Sequence, residues 1–232
     1  MAAAASTYLA WWEQAGVDCA IGDAPVNWLR PAAAASAPVP DIAPAPRAKP
    51  ATLAEFRAWL MADDAQPERR WPGAPILPQG QEGASLMIVT DMPDPADMHA
   101  GSLLSDRAGQ LFDSMLRAIG MVRQEVYITS LFLSRPPGGM VEAGDLSQAA
   151  ERMRTHVALA APDRLLLLGD RTIRTLFSVQ DKGGMDHLQF FNHDGGTVRA
   201  YATFHPRLLL GQPVAKAECW RILQGLIEEQ DS

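Results

Sequence analysis

From Ser85 onward the chain alternates short, largely apolar runs with amphipathic segments, and that alternation restricts the fold more than any other feature. The apolar runs stand at 86–90 (LMIVT), 126–131 (VYITSL), 165–168 (LLLL) and 198–203 (VRAYAT). Helical spacing lies between and after them: at about 107–119, where Leu111, Met115 and Ile119 align, at 146–160, at 170–177 and at 215–229. Strands that are apolar on both faces need covering on both faces, and strands separated by helices run parallel. The expectation is an α/β fold, a three-layer αβα sandwich around a central four-stranded, mostly parallel sheet. Ligands of such sheets sit beyond the C-terminal strand ends, which selects Asp91, Ser130, Gly169 and Phe204-His205. The pairs Gly183-Gly184 and Gly195-Gly196 read as turns flanking a variable excursion.

Upstream of the alternation the pattern changes. Thr52 followed by Glu55 is a capping-box signature, and Leu53, Phe56, Leu60 and Met61 give one apolar face to a helix running to about Asp64. Residues 68–83 read as irregular. Residues 31–50 hold 14 Ala or Pro in 20 positions with no core periodicity, the composition of an extended, semi-rigid linker. Before it, Leu9, Trp12 and Ala15 share a helical face, with Trp11 beside it and Gly16 as a stop. The chain therefore divides into a Trp-containing segment (1–30), a linker (31–51) and an α/β domain (52–232). Trp11 and Trp12 are suited to anchoring a protein partner; the alternative is that they patch the domain's own surface.

The net charge of −7 runs against the basic balance of free-standing nucleic-acid binders, whose affinity comes from neutralising phosphates. The part from Leu86 onward carries 14 Lys and Arg against 18 Asp and Glu, so any contact with DNA falls to a local basic patch. Cys19 and Cys219 are too few for a disulfide framework or a cysteine metal cluster, which points to a reducing, cytoplasmic setting. The N-terminus has neither a basic leader nor a small-residue cleavage pattern, and no run reaches the ~18 apolar residues of a membrane helix. Walker, G-x-G-x-x-G, H-E-x-x-H and G-x-S-x-G motifs are absent.

Two segments carry a resemblance. One is Leu86 to Pro137, including Thr90-Asp91-Met92-Pro93-Asp94, Arg107-Ala108-Gly109-Gln110-Leu111 and Arg135-Pro136-Pro137-Gly138; the other is Phe204-His205-Pro206-Arg207. Together they resemble the uracil-DNA glycosylase superfamily, in particular its iron–sulfur-containing bacterial branch. The resemblance implies excision of a damaged base from DNA by hydrolysis of its N-glycosidic bond. It assigns His205 to the charge that collects on the departing base and Asp91 to the attacking water. For Asp91 the other reading is a carboxylate that caps its own loop. Thr90, Pro93, Leu104 and Ser130 take the positions of the base pocket. Apart from the resemblance, Arg107, Arg135 and Arg207, with Arg199, fall at or near the predicted site end, where they are either a phosphate-binding set or solvated surface. Leu208-Leu209-Leu210 is either a wedge filling the gap left by a flipped nucleotide or a piece of core packing.

The chain also departs from that family. Leu104 replaces the aromatic ring that stacks on the base, and Ser130 replaces an Asn that reads the uracil edge. Ser134 replaces a cluster cysteine, no cysteine pair precedes Leu86, and the 146–160 helix has none, so no cluster, metal or other cofactor is expected. The expected partner is DNA. The rival expectation is a catalytically inactive glycosylase fold used as a binding or scaffold module, with a pocket for a free nucleobase as a third.

Overall fold

The computed structural model describes residues 50–177 and 188–228, with positions 8, 10–12, 14 and 15 near the N-terminus. Two compact units separate, Met1–Ala48 and Lys49–Ser232. In the first, the Trp11 and Trp12 rings meet edge to face with centroids 4.9 Å apart. The expected linker, all but its last two residues, lies outside the described residues.

Among the described residues the second unit holds five strands, β1 (Leu86–Thr90), β2 (Tyr127–Ser130), β3 (Arg164–Leu168), β4 (Leu188–His193) and β5 (Gly196–Thr203). They pair in the order β2-β1-β3-β5-β4. The first four in that order are parallel, and β4 runs antiparallel along β5. Seven α-helices accompany them among the described residues: α1 (Leu53–Ala62), α2 (Pro95–Ala100), α3 (Asp106–Ala118), α4 (Ala143–Ala160), α5 (Asp170–Leu176), α6 (Pro206–Gly211) and α7 (Ala215–Glu228).

The continuous apolar runs are explained by the layers. Successive side chains of a strand point to opposite faces. Leu86 and Ile88 join Phe112, Met115 and Leu116 of α3 and Ile222 and Leu226 of α7 in one core. Met87 and Val89 join Ala149, Met153 and Val157 of α4 in the other. Leu165 to Leu168 alternate between the same two cores at no more than 1% exposure, each burial contributing roughly 1.5–3 kcal/mol. α1 begins with the expected capping box, Glu55 N–H donating to Thr52 Oγ1 at 3.1 Å and Thr52 N–H to Glu55 at 3.3 Å. It packs Phe56 and Leu60 on Leu133, beyond the sheet.

The sheet has five strands where four were expected. The added strand, β4, falls in the stretch read as an excursion. It is joined to β5 by the two residues Asp194-Gly195, and it buries Phe191 while leaving Phe190 63% exposed. No helix among the described residues is long and apolar enough to cross a membrane.

Candidate active site

β1 pairs with β2 on one side and β3 on the other, so the chain reverses direction across the sheet between β1 and β3. A crevice opens beyond the strands at such a point. Here a cavity of about 650 Å³ lies over the C-terminal ends of β1, β3 and β5. Asp91 enters it from the end of β1, Gly169 from β3 and His205 from β5; Arg135, Arg171, Arg207 and Asp94 also line it. Gly169 has φ 92°, and a Cβ there would touch the His205 Cβ at 3.4 Å, so this position suits glycine on both counts.

His205 is the N-cap of α6, and its Nδ1 accepts the Arg207 backbone N–H at 3.2 Å. A ring nitrogen that accepts carries no proton, so the neutral imidazole keeps its hydrogen on Nε2 as a donor. Burial pushes the His205 pKa below its usual value, against the opposing pull of the Asp94 and Asp91 carboxylates. The ring is therefore a neutral donor at pH 7.

Asp91 uses one oxygen locally and offers the other to the cavity wall. Oδ1 accepts the Met92 N–H at 2.6 Å, and Oδ2 lies 3.5 Å from Arg171 Nη1. Asp94 gathers two arginines: Oδ2 bonds Arg207 Nε at 2.6 Å and Oδ1 lies 3.6 Å from Arg135 Nη1. Arg135 also donates to the Pro93 carbonyl at 3.2 Å. Asp97, buried below, holds the loop in place by accepting from the Asp94 N–H at 3.0 Å and from the Ser105 N–H and hydroxyl at 2.7 and 2.6 Å.

Of the residues singled out from sequence, Asp91, Arg135, His205 and Arg207 come together at this cavity. Gly169 and Phe204 line it as well, and the rest stand elsewhere or only at its rim. Thr90 is 1% exposed, its hydroxyl oxygen unpartnered among the described residues. Pro93 is buried in the loop. Ser130 is 2% exposed and donates to the Phe132 carbonyl at 2.7 Å. Leu104, at φ 52°, is 2% exposed and packs in the core with Phe112. Arg107 is exposed in the first turn of α3. Arg199 pairs in register with Arg164, the first residue of β3, so it sits toward the opposite end of the sheet from the cavity. In the leucine run, Leu209 is buried while Leu208 and Leu210 are 39% and 42% exposed, and Leu208 reaches the cavity rim.

Three charged wall residues carry no role in the sequence analysis, Asp94, Asp170 and Arg171. Arg171 stands two residues after the glycine that ends β3, so the same strand-end rule that selected His205 would have found it.

The iron–sulfur cluster of the resembling branch takes about four thiolates. This chain has Cys19, outside the described residues, and Cys219, buried in α7 with its thiol pushed up by burial. At Ser134, the position of a family cysteine, the hydroxyl oxygen is buried without a partner among the described residues. The segment before Leu86 and the helix after Ser134 are joined by a salt bridge instead. Arg152 of α4 donates to Glu68 at 2.6 and 3.1 Å and also to Gln66 and to the Leu131 carbonyl, while Glu68 accepts the Leu133 N–H at 2.9 Å. The residues present do not fit the cluster.

Comparison with known proteins agrees with this geometry. The curated Type-4 uracil-DNA glycosylase of Archaeoglobus fulgidus is 24% identical over 149 residues, covering 60% of this chain and 73% of that protein. The Type-4 uracil-DNA glycosylase of Pyrobaculum aerophilum is 24% identical over 147 residues, covering 60% of this chain and 75% of that protein. The family model described as "Uracil DNA glycosylase superfamily" matches residues 77–224, well over half of the chain, and both the strand-end cavity and His205 fall inside that span. By that match the chain belongs to the uracil DNA glycosylase superfamily, and its likeness is to the Type-4 branch.

Proposed function

We propose that the cavity receives a uracil or other damaged base extruded from DNA and that the protein hydrolyses its N-glycosidic bond. The observation that carries this reading is the His205 ring, held by the Arg207 N–H so that Nε2–H is left as donor at the cavity. As the bond between base nitrogen and sugar C1′ breaks, its electron pair moves onto the base. Nε2–H then stabilises the charge on the base oxygen. The Asp91 carboxylate, on the neighbouring side of Gly169, faces the cationic sugar carbon and accepts a proton from the water that attacks it. Water thus adds hydroxyl to C1′, and the base leaves with a proton. Arg171, 3.5 Å from Asp91, pairs with that carboxylate from the cavity wall.

A cytoplasmic setting accords with DNA as substrate. Trp11, 58% exposed and stacked edge-on against Trp12, is the candidate anchor for a repair or replication protein. One observation favours the rival reading of a non-catalytic binding module: the Ser130 hydroxyl and the Leu104 side chain are committed to the interior, so neither reads a base.

Strand cleavage after alkali treatment of labelled oligonucleotides carrying uracil, hypoxanthine or xanthine separates the two. Excision by the wild type, reduced about 10²–10³-fold in His205→Ala and also reduced in Asp91→Ala, is the expected result. No excision of any base at large enzyme excess would leave the binding module standing.

A further inference from the structure

A second depression, of about 740 Å³, lies between α4 and α5 and adjoins the site cavity, Asp170 and Arg171 lining both. On α4, Ala143, Ser147, Ala150 and Arg154 fall at spacings of four, three and four residues, which places them on one helical face. On α5, Arg171, Arg174 and Thr175 do the same.

The charges of the two depressions differ. In the site cavity Arg135, Arg171 and Arg207 face three carboxylates, Asp91, Asp94 and Asp170. In the groove three arginines, Arg154, Arg171 and Arg174, face Asp170 alone. Within a chain of net charge −7, the positive excess beside the site therefore lies in the groove and not in the cavity. Arg135 and Arg207 are already engaged by Asp94. The Arg174–Asp170 pair is solvent-exposed, of the kind that contributes little and exchanges readily.

We infer that the α4–α5 groove is the track for the DNA strand whose base enters the cavity, with Arg154 and Arg174 contacting phosphates flanking that nucleotide. This rests on the proposed base-excising function. It moves the phosphate contacts away from Arg107, Arg135 and Arg207 to a helix pair that the sequence reading left unassigned. The groove is specific for the polyanion and indifferent to base identity, since it offers charge without a paired donor–acceptor edge.

The test is binding of a fluorescein-labelled, uracil-containing oligonucleotide over a range of salt concentrations, with the full chain, the Arg154→Ala/Arg174→Ala double variant, and Arg117→Ala as a surface control on α3. The slope of log K against log salt should fall by about 1.4 to 1.8 in the double variant, two contacts at roughly 0.7–0.9 each. It should be unchanged in the control. Excision under saturating oligonucleotide should persist in the double variant, because neither arginine touches the reacting atoms. A double variant with wild-type slope and affinity, in a protein that still binds and excises, overturns the groove and leaves the proposed activity intact. A wild type that binds no oligonucleotide overturns both.

Discussion

A Cβ at Gly109 would lie 1.9 Å from the Leu104 carbonyl oxygen, well inside contact distance. That carbonyl is also held by Arg123, whose Nη2 donates to it at 2.8 Å while Nη1 reaches the Leu103 carbonyl at 2.9 Å. The loop has no room to retreat, so Gly109→Ala should destabilise by about 1–3 kcal/mol in urea unfolding. Gly144→Ala, in the first turn of α4 with open space around it, should be neutral or slightly stabilising. The His205 ring makes a separate prediction. Its pKa is lowered, so the competent neutral form persists below pH 6.5, and excision should fall only on the acid side of that value as Nδ1 takes a proton and loses the Arg207 N–H. A pH profile of single-turnover excision measures this; a rate that rises on acidification would exclude the neutral donor. His205 and Asp91 were legible in the sequence because each stands within two residues of the end of an apolar strand, and that position delivers them to the cavity. Ser130 and Leu104 were not, because which way a side chain turns depends on what fills the space behind it. The Phe132 carbonyl takes one, and the core around Phe112 takes the other.

Elements were easier to read than side chains, for a physical reason visible in β3. A run of four leucines buried on both faces is recognisable whatever its neighbours are. β4 has no such mark: it is an edge strand, apolar at Phe191 on one face and exposed at Phe190 on the other, and only the Asp194-Gly195 pair between two strand-like runs signals its hairpin. The Glu68–Arg152 pair was equally hidden, since 84 residues separate its partners. Burial pushes the Glu68 pKa up, but the hydrogen bond and charge of Arg152, with the Leu133 N–H, more than offset it and leave the carboxyl lowered. Removing one partner of such a pair strands a buried charge. Arg152→Met should therefore cost about 3–5 kcal/mol, and the Glu68→Leu/Arg152→Met double variant should cost less than the single change. Thermal or urea unfolding of the set decides it, and an additive double variant would mean the pair is not coupled.

For the whole molecule, acid sensitivity follows from His156. It is buried on α4, its Nε2 2.8 Å from the Tyr127 hydroxyl, and burial, aided by the nearby Arg152 and Arg57 charges, lowers its pKa to about 3. Unfolded, the same ring takes its proton near pH 6.5. Between those values the unfolded chain binds the extra proton, so stability drains away as pH falls from 6.5 toward 3, by at most about 1.4 kcal/mol per pH unit from this residue. Glu68 adds a loss of the same sign below its usual 4.5. His156→Gln, which keeps an acceptor for the tyrosine, should flatten the upper part of that slope in melts run at pH 6.5, 5.5 and 4.5. An unchanged slope would place the acid sensitivity elsewhere.

The wall that presents Arg135 is fastened from outside the sheet, by a carboxylate eighteen residues before β1 begins. A fragment trimmed to the recognisable sheet, or to the stretch matched by the family model from residue 77, would discard Glu68 and leave the Arg152 guanidinium without its counterion. A stable fragment of this protein is therefore expected to reach back past residue 68, where the charge buried in α4 finds its partner, and domain boundaries drawn from similarity alone would cut through that pair.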